Sequence, residues 1–537
     1  MPSVAAISKG EFLQLFQRCI PPGGWPRTIA VANSGGPDST CLLWHLASLV
    51  KDGRRGLPRR LVSFHINHRL QEASDDMAEL AARTARALDV QHRAFTVPWS
   101  TPPYPEFPGP TTTELYARRA RLRAFFDQMT DENAAALALG HHADDQVETV
   151  IIRFGSGSGL SGLAGMRPVR RWGMGNSDSG ELLTFGDAGM SRWMVRPFLS
   201  VPKDRILSTC ERHGLSYAVD KTNFQPDLTP RNAIRHALDS LSPLEPSISP
   251  DLDKFSAEHA SSSDVPQTRE RFRETVQSLV QRIDMVNGQV DNILARCLLP
   301  TLPSTVLLPS PWLRSLPGDT LEILMARVMR YVSCHPWGSP RSQTTGSQTT
   351  YQKIFDKIIE NERKAHHRTP FTPGASILFK PGAVTPYGRF LQVDDHPDAI
   401  YSAWRLQRAP PYTKKTQEGE KESDRLVLDI TSRLKEWRPR DGIFTLLYDN
   451  RFLLSFDLSR VSRNILMSLN DGKDARIYVT PHGQELSPRL VLRTGSKERT
   501  LADYKRDVLG LSGRTAKFNV PFQHWIRMKL VRTLQTI

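Results

Sequence analysis

Cysteine is scarce in this chain: 537 residues hold five, Cys19, Cys41, Cys210, Cys297 and Cys334, far apart and with no CxxC pair. Neither a disulfide framework nor a compact zinc or iron–sulfur site is expected, and a reducing compartment is the natural setting. Long apolar runs are also missing. The best stretch, Cys41 to Val50, is interrupted by His45 and falls well short of the roughly 20 residues a membrane helix needs. Acidic residues are outnumbered, 56 Asp+Glu against 71 Lys+Arg, for a formal charge of +15. That excess favours an anionic partner, a phosphate backbone or acidic lipid, without choosing between them. The segment EFLQLFQRC between Lys9 and Arg18 lacks the apolar core of a secretory signal and reads as a very short mitochondrial presequence or as a structural first helix.

The length excludes a single core and implies about two to four domains. From Arg27 to Gly140, apolar runs at Thr28–Ala32, Leu61–Ile66, Arg93–Val97 and Ala134–Leu139 alternate with helix-like segments at Asp75–Leu88 and Thr113–Met129. This is the α/β rhythm of a doubly wound parallel sheet. GMGNSDSG at 173–180 interrupts it, so residues 1–240 read as the first domain and the Ser/Pro-rich stretch 241–266 as a linker or insertion. Residues 267–366 carry helical periodicity (Val276, Leu279, Val280, Ile283, Val286) and read as a helical domain. Residues 367–537, with ILF, RFLQV, IFTLLY, RFLLSF, ARIYV and LVLR between turns, read as a β-rich region.

The sharpest local pattern is TIAVANSGGPDSTCLLWHL, a strand that runs into Ser34-Gly35-Gly36-Pro37-Asp38-Ser39 and then into a helix. Glycines let the backbone approach an anion, hydroxyls add donors, and the helix N-terminus adds N–H groups and positive potential. It is neither a GxxxxGK[ST] nor a GxGxxG loop. Asp38 there would repel a bare phosphate, so either a divalent cation stands between them or the carboxylate fixes the loop. On these residues the chain resembles the PP-loop ATP pyrophosphatases, whose hallmark is SGGxDS and which split ATP between the α and β phosphates to adenylate a substrate.

A second pattern follows the Ala134–Leu139 strand: Gly140-His141-His142-Ala143-Asp144-Asp145-Gln146-Val147-Glu148-Thr149. Asp145 and Glu148 lie three apart and share a helix face, and Asp144 is placed to cap its N-terminus. The run FGSGSGLSGLAGM at 154–166 is too glycine-rich for core and reads as a flexible binding loop. Joined together, HHADDQVETVIIRFGSGSGLSGLAGM resembles the tRNA(Ile)-lysidine synthetase family. His65-Ile66-Asn67-His68, Ala117-Arg118 with Arg121, Val195-Arg196-Pro197-Phe198-Leu199, Asp220-Lys221-Thr222-Asn223 and Arg231-Asn232-Ala233-Ile234-Arg235 also look like that family's segments. The resemblance covers about residues 12 to 240.

What the resemblance implies is an enzyme that uses ATP and Mg²⁺ to join L-lysine to carbon 2 of the wobble cytidine of an isoleucine tRNA with a CAU anticodon. Ser34 to Ser39 would grip the pyrophosphate end, with Asp38 helping to hold Mg²⁺. Asp145 and Glu148 would serve the lysine or the base, and Arg118 or Arg121 would stabilise phosphate charge. His68, His142, Arg196, Asn223, Arg231, Asn232 and Arg235 would contact substrate or tRNA. No membrane is implied; a homodimer is one assembly it allows, and the mitochondrial matrix, with cytoplasm as the alternative, is the expected compartment.

Departures from the family pattern are Arg69-Leu70-Gln71 where GLR is usual, Leu122 after Arg121, FGSGSG before the second glycine run, and Asn33 before the loop. They leave a catalytically impaired tRNA-binding relative as one alternative. A PP-loop thiolase is another, although Cys41 has no partner in sequence. The four histidines His65, His68, His141 and His142 suit structural or substrate-side hydrogen bonds better than metal ligation. Tyr504, Lys505, Arg506, Arg514, Lys517, Phe522, Trp525, Arg527 and Lys529 are candidates for a tRNA acceptor-arm contact, with Trp525 and Phe522 also suited to a core.

Overall fold

A strand that is buried on both sides must alternate its side chains between two cores, and Thr28–Ala32 (β1) does so in the computed structural model. Ile29 and Val31 enter one hydrophobic cluster and Ala30 the other. The structure describes residues 4–70, 73–109, 113–175, 181–219, 230–240, 265–297, 301–342, 348–364, 368–386, 390–392, 400–411, 424–438, 441–470, 474–504 and 524–535. Gln71 and residues 220–229, with Asn223 among them, lie outside these.

By contacts the chain divides into two compact units, Met1–Val286 and Asn287–Thr536. In the first, helix α1 (Lys9–Gln17) opens on Ser8, whose hydroxyl accepts the Glu11 N–H, and buries Phe12, Leu15 and Phe16. Then follow β1, α2 (Pro37–Lys51), β2 (Arg60–Asn67), α3 (Ser74–Ala87), β3 (Gln91–Thr96), α4 (Thr113–Asp131), β4 (Ala136–Ala138), α5 (Ala143–Gly155), α6 (Leu160–Leu163), β5 (Val169–Arg171), β6 (Trp193–Val195), α7 (Lys203–Arg212) and α8 (Pro230–Ser240). A long helix, Val265–Cys297, comes next.

The six strands lie in the order β3-β2-β1-β4-β6-β5. All neighbours are parallel except β5, which runs antiparallel to β6. Helices α1, α2 and α7 cover one face with Phe12, Leu42, Leu46 and Ile206, and α4 covers the other with Ala120, Ala124 and Met129. Because β1 is flanked by β2 on one side and β4 on the other, the order reverses between β1 and β4. In open α/β sheets the crevice beyond the strand ends at such a reversal is where ligands bind.

The second unit is built on antiparallel sheets. A five-stranded one joins Phe390–Leu391, Ile377–Val384, Tyr401–Arg408 and Val306–Pro309, with Phe371–Gly374 on Ile377–Val384. Helices Gly318–Val332 and Gln348–Arg363 belong to the same unit. The helical reading of 267–366 missed the strand Val306–Pro309, which pairs with Tyr401–Arg408 beyond the expected boundary. A four-stranded sheet (Leu428–Asp429, Ala475–His482, Ser487–Thr494, Lys497–Asp503) and a three-stranded one (Phe444–Tyr448, Phe452–Phe456, Ile526–Leu530) share one core. Trp525 and Tyr504 lie in that core, 2% and 7% exposed, so neither presents a ring to RNA. Arg527 and Lys529 are exposed, while Lys505, Arg506, Arg514, Lys517 and Phe522 fall outside the described residues.

Candidate active site

The loop between β1 and α2 is held by a buried side chain that precedes it. Asn33, 1% exposed, donates from Nδ2 to Ser63 Oγ and the Ala81 carbonyl, both at 3.2 Å, and accepts the Gly35 N–H on Oδ1 at 3.1 Å. Asn33 is thus the clamp that ties the loop to β2 and α3, where the sequence shows only a departure from the family's small apolar residue. Gly35 has φ +84°, a left-handed conformation, and a Cβ there would meet the Met77 carbonyl oxygen at 3.0 Å. Ser39 Oγ accepts the Ser34 N–H at 3.2 Å and donates to the Gly36 carbonyl at 3.0 Å. Gly36 caps α2 with no side chain across its end and Pro37 supplies the first turn, so the helix N-terminus stays open to an anion.

The turn after β4 comes up against this loop. A methyl group on Gly140 would stand 3.0 Å from the Asp38 carbonyl carbon and 3.1 Å from its oxygen, so glycine permits the close approach. Helix α5 then starts at His142, whose N–H donates to Asp145 Oδ2 at 3.0 Å. The His142 ring is buried among three carboxylates, 3.8 Å from Asp38 Oδ1, 3.5 Å from Asp144 Oδ2 and 3.6 Å from Asp145 Oδ2. Burial pushes the imidazole down, but Asp145, Asp144 and Asp38 together outweigh it and raise it above its ordinary value. Burial likewise works against the Asp145 carboxylate, and His142, His141 and the His142 N–H outweigh it, holding Asp145 below the usual range. His141 beside it is pushed down to about 3 by burial and Arg196.

Glu148, one turn on, is 2% exposed and is raised by burial, with Arg235 of α8 only partly offsetting it. Arg235 Nε lies 2.9 Å from Oε1, and among the described residues Oε2 is buried without a hydrogen-bond partner. Arg231 Nη2 donates to Thr149 Oγ1 at 3.3 Å. The helix is docked through Ile234, which packs with Val147, Val150 and Ile151 of α5 and with Phe272 and Val276 of the long helix.

Two cations not singled out by the sequence complete the acid cluster. Lys203 Nζ bonds to Asp38 Oδ1, while its backbone N–H donates to Asp144 Oδ2 at 3.0 Å. Arg273 of the long helix donates to Asp144 Oδ1 from Nε at 2.9 Å and from Nη2 at 2.7 Å. Lys203 had one local signal: it is the first residue of α7, where a positive charge opposes the helix dipole. Arg273, inside the charged run RERFRE, had none.

Beyond the acids lies an arginine cluster. Arg118, Arg121 and Arg170 each keep part of their surface exposed, while their charged ends stand among other arginines. Burial and Arg231 draw Arg118 down, and burial and Arg118 draw down both Arg121 and Arg170. Arg196, 7% exposed, donates to His141 Nδ1 at 3.2 Å and the Arg167 carbonyl at 3.0 Å. Burial and its neighbours Arg170 and Arg118 lower it to about 9, so it remains charged at neutral pH. Glu114 offsets this only in part at Arg118 and Arg121, and like charges held this close fit an anionic ligand.

The glycine run after α5 is not the flexible loop the composition suggests. Gln146 Nε2 donates to the Met166 carbonyl at 2.9 Å and its Oε1 accepts the Met166 N–H at 2.6 Å. Arg153 Nη1 donates to the Gly162 and Gly165 carbonyls at 2.8 and 2.6 Å. Two side chains of α5 thus fasten the run, and Gly165 at φ +63° leaves room for Gln146.

The structure gathers Asp38, His142 and Asp145 into one site, with Glu148, Arg231 and Arg235 following along α5 and α8 and His141 and Arg196 on the flank. Asn232 is 9% exposed, so its side chain turns inward. His68 is seen through its carbonyl, which accepts the Trp99 indole N–H at 2.9 Å. Among the described residues no group of three or more His, Cys, Asp and Glu is placed to hold a metal ion.

Residues 8–241 match the family model of the PP-loop domain. The tRNA(Ile)-lysidine synthase of Bacillus subtilis is 34% identical over 229 residues, 42% of this chain and 42% of that protein. The enzyme of that name from Methylobacterium nodulans is 35% identical over 217 residues, 40% of this chain and 55% of that protein. The chain thus matches about half the length of these curated relatives. Among solved structures, a U34-tRNA thiolase from Methanococcus maripaludis aligns with 51% of this chain and 79% of its own at 15% identity and a TM-score of 0.31. With β1, its loop and α2 arranged as described, residues 8–241 are a PP-loop domain, similar in sequence to the tRNA(Ile)-lysidine synthases.

Proposed function

We propose that this chain uses ATP to adenylate the 2-oxo oxygen of the wobble cytidine in a CAU-anticodon isoleucine tRNA and then transfers L-lysine to carbon 2, releasing pyrophosphate and AMP. The observation that carries this reading is the meeting of the PP-loop with the start of α5, where the His142 ring stands 3.8 Å from Asp38 Oδ1 and, one turn on, the buried carboxylate of Glu148 keeps one oxygen unpartnered among the described residues. ATP would sit with its pyrophosphate end over the open N-terminus of α2 and the loop donors. A Mg²⁺ ion fits as a companion of the nucleotide, since Mg²⁺ is usually held by one or two carboxylates together with substrate phosphates. Asp38 would supply that carboxylate, and the ion would neutralise phosphate charge.

In the first step the cytosine oxygen attacks the α-phosphorus and the bond to the leaving pyrophosphate breaks. In the second the lysine amine attacks carbon 2, the carbon–oxygen bond breaks, and AMP leaves. The nucleophile must be a neutral amine, so a proton has to be taken up nearby. Glu148, raised by burial and with Oε2 unpartnered, suits that role. Asp145, held ionised, suits recognition of a cationic amine. Arg118, Arg121 and Arg170 suit the phosphates of the anticodon loop, and the exposed Arg527 and Lys529 suit a second tRNA contact. Sulfur transfer is disfavoured because Cys41 is fully buried and its contact with Cys210, together with burial, drives its thiol far above the ordinary value.

The test is incubation with ATP, Mg²⁺, labelled lysine and CAU-anticodon isoleucine tRNA, beside a methionine tRNA and Asp38→Ala. Label confined to the isoleucine tRNA and dependent on ATP and Asp38 is expected. Pyrophosphate release without lysine incorporation would assign a different nucleophile, and tRNA binding without pyrophosphate release would leave a non-catalytic tRNA binder. Fractionation of cells that make the chain would test the mitochondrial matrix against the cytoplasm.

A further inference from the structure

Among the described residues, Lys203 is the side-chain cation bonded to the loop Ser34–Ser39, through Asp38 Oδ1. It sits at the first position of α7, 165 residues from Asp38 in sequence, and its side chain remains 32% exposed. The start of α7 is fixed without that pair. The Lys203 N–H is held by Asp144, the Ala143 N–H bonds to the Val201 carbonyl at 2.9 Å, and Ile206, Thr209 and Cys210 are buried. Asp38 also keeps the His142 ring as a second neighbour, 3.8 Å from Oδ1. The ammonium is therefore dispensable to both elements it joins, and it stands beside the helix N-terminus where a phosphate chain would lie.

We propose that Lys203 is a catalytic residue for splitting ATP: it exchanges Asp38 for the β- and γ-phosphate oxygens and stabilises pyrophosphate as it leaves. This rests on the adenylation reading above. Paired as they are, the ammonium neutralises Asp38. When the nucleotide enters, Asp38 is released toward the divalent cation and the ammonium moves to the anion. As the α-phosphorus bonds to the incoming oxygen, the electron pair of the breaking bond goes to pyrophosphate, whose growing charge the ammonium meets without giving up a proton. A preorganised cation at the point where charge develops is a large contributor to catalysis.

The experiment uses the full chain as wild type, Lys203→Met and Lys203→Arg. Calorimetric titration with ATP and with AMP is done in EDTA, and pyrophosphate release is followed with Mg²⁺ and the isoleucine tRNA. Lys203→Met should weaken ATP by about tenfold or more while leaving AMP unchanged. It should also lower the kcat for pyrophosphate release by about 100-fold or more. Lys203→Arg should recover a substantial part of both. Equal weakening of ATP and AMP would mean a purely structural tie, and unchanged binding and turnover would mean no role; either overturns the proposal. If the wild type splits ATP and Lys203→Met does so equally well, only this proposal fails. If the wild type binds no ATP, the adenylation reading fails with it.

Discussion

Arg235 places Nε and Nη2 at 2.9 and 2.8 Å from a single oxygen, Oε1 of Glu148, and leaves Oε2 of that buried carboxylate unpartnered among the described residues. A pair made this way is half used. It holds α8 against α5, and it keeps one oxygen available to a ligand that brings its own hydrogens. Glu148→Gln removes the proton acceptor but keeps the shape, so lysine transfer should fall by about 100-fold or more while ATP-dependent pyrophosphate release persists. Arg235→Ala should instead cost stability, about 3–5 kcal/mol, because it strands a buried charge. Adding Glu148→Gln to Arg235→Ala should restore much of that loss in urea unfolding. A double variant no more stable than Arg235→Ala would mean the pair is not what holds α8.

Asn33 makes a different kind of contribution. Replacing it with Ala leaves the Gly35 N–H without its partner, worth about 1–3 kcal/mol when buried and unsatisfied, and cuts the tie to the Ala81 carbonyl of α3. The loop would thereby lose its anchor on α3. Asn33→Ala should therefore lower stability in urea and raise KM for ATP. Stability that falls with KM unchanged would show that the rest of the loop holds its shape alone.

Gly140 tests the approach of β4 to the loop. Its neighbour is the Asp38 backbone, which cannot rotate aside as a side chain would. Gly140→Ala should displace the start of α2 and lower pyrophosphate release by about tenfold or more, since small misplacements at a reacting site are costly. Circular dichroism should stay that of the wild type. Full activity in Gly140→Ala would mean the approach is not needed for turnover.

The features legible in the sequence are those written within a few residues. TIAVANSGGPDS encodes a buried strand, an anion-binding turn and a helix start in one run, and HHADDQVET encodes a helix N-terminus with its acids on one face. The Lys203–Asp38 and Arg273–Asp144 contacts span 165 and 129 residues. They depend on the sheet order that puts β6 beside β4 and on the docking of the long helix through Phe272 and Val276, which no local pattern states. Val306–Pro309 escaped notice because four apolar residues among helices have no period of their own, and their partner strand lies about a hundred residues on. Trp525 and Tyr504 show the converse. Aromatics in a basic strand-rich stretch look like an RNA face until their burial is known.

The acid limb of stability follows from Asp144. Burial works against its carboxylate, but His142 and Arg273 outweigh that and hold it well below its ordinary 3.8. A carboxyl lowered in the folded state is matched by an unfolded chain that takes up protons first. The stability it contributes is therefore fully present above the unfolded value and is lost as pH falls through about 4 toward the folded value. Asp144→Asn should cost about 1.5–3 kcal/mol near pH 7, the worth of a charge-assisted bond. The gap between wild type and variant in urea unfolding should then narrow steadily from pH 5 to pH 3. Glu148, raised by burial, works in the opposite sense, so the comparison has to be made within the Asp144 pair and not from the wild-type profile alone. Arg273→Ala should narrow over the same range, and the coupling energy of the Asp144–Arg273 cycle should shrink with it. A gap that stays constant from pH 7 to pH 3 would mean that Asp144 is not held ionised by this pair.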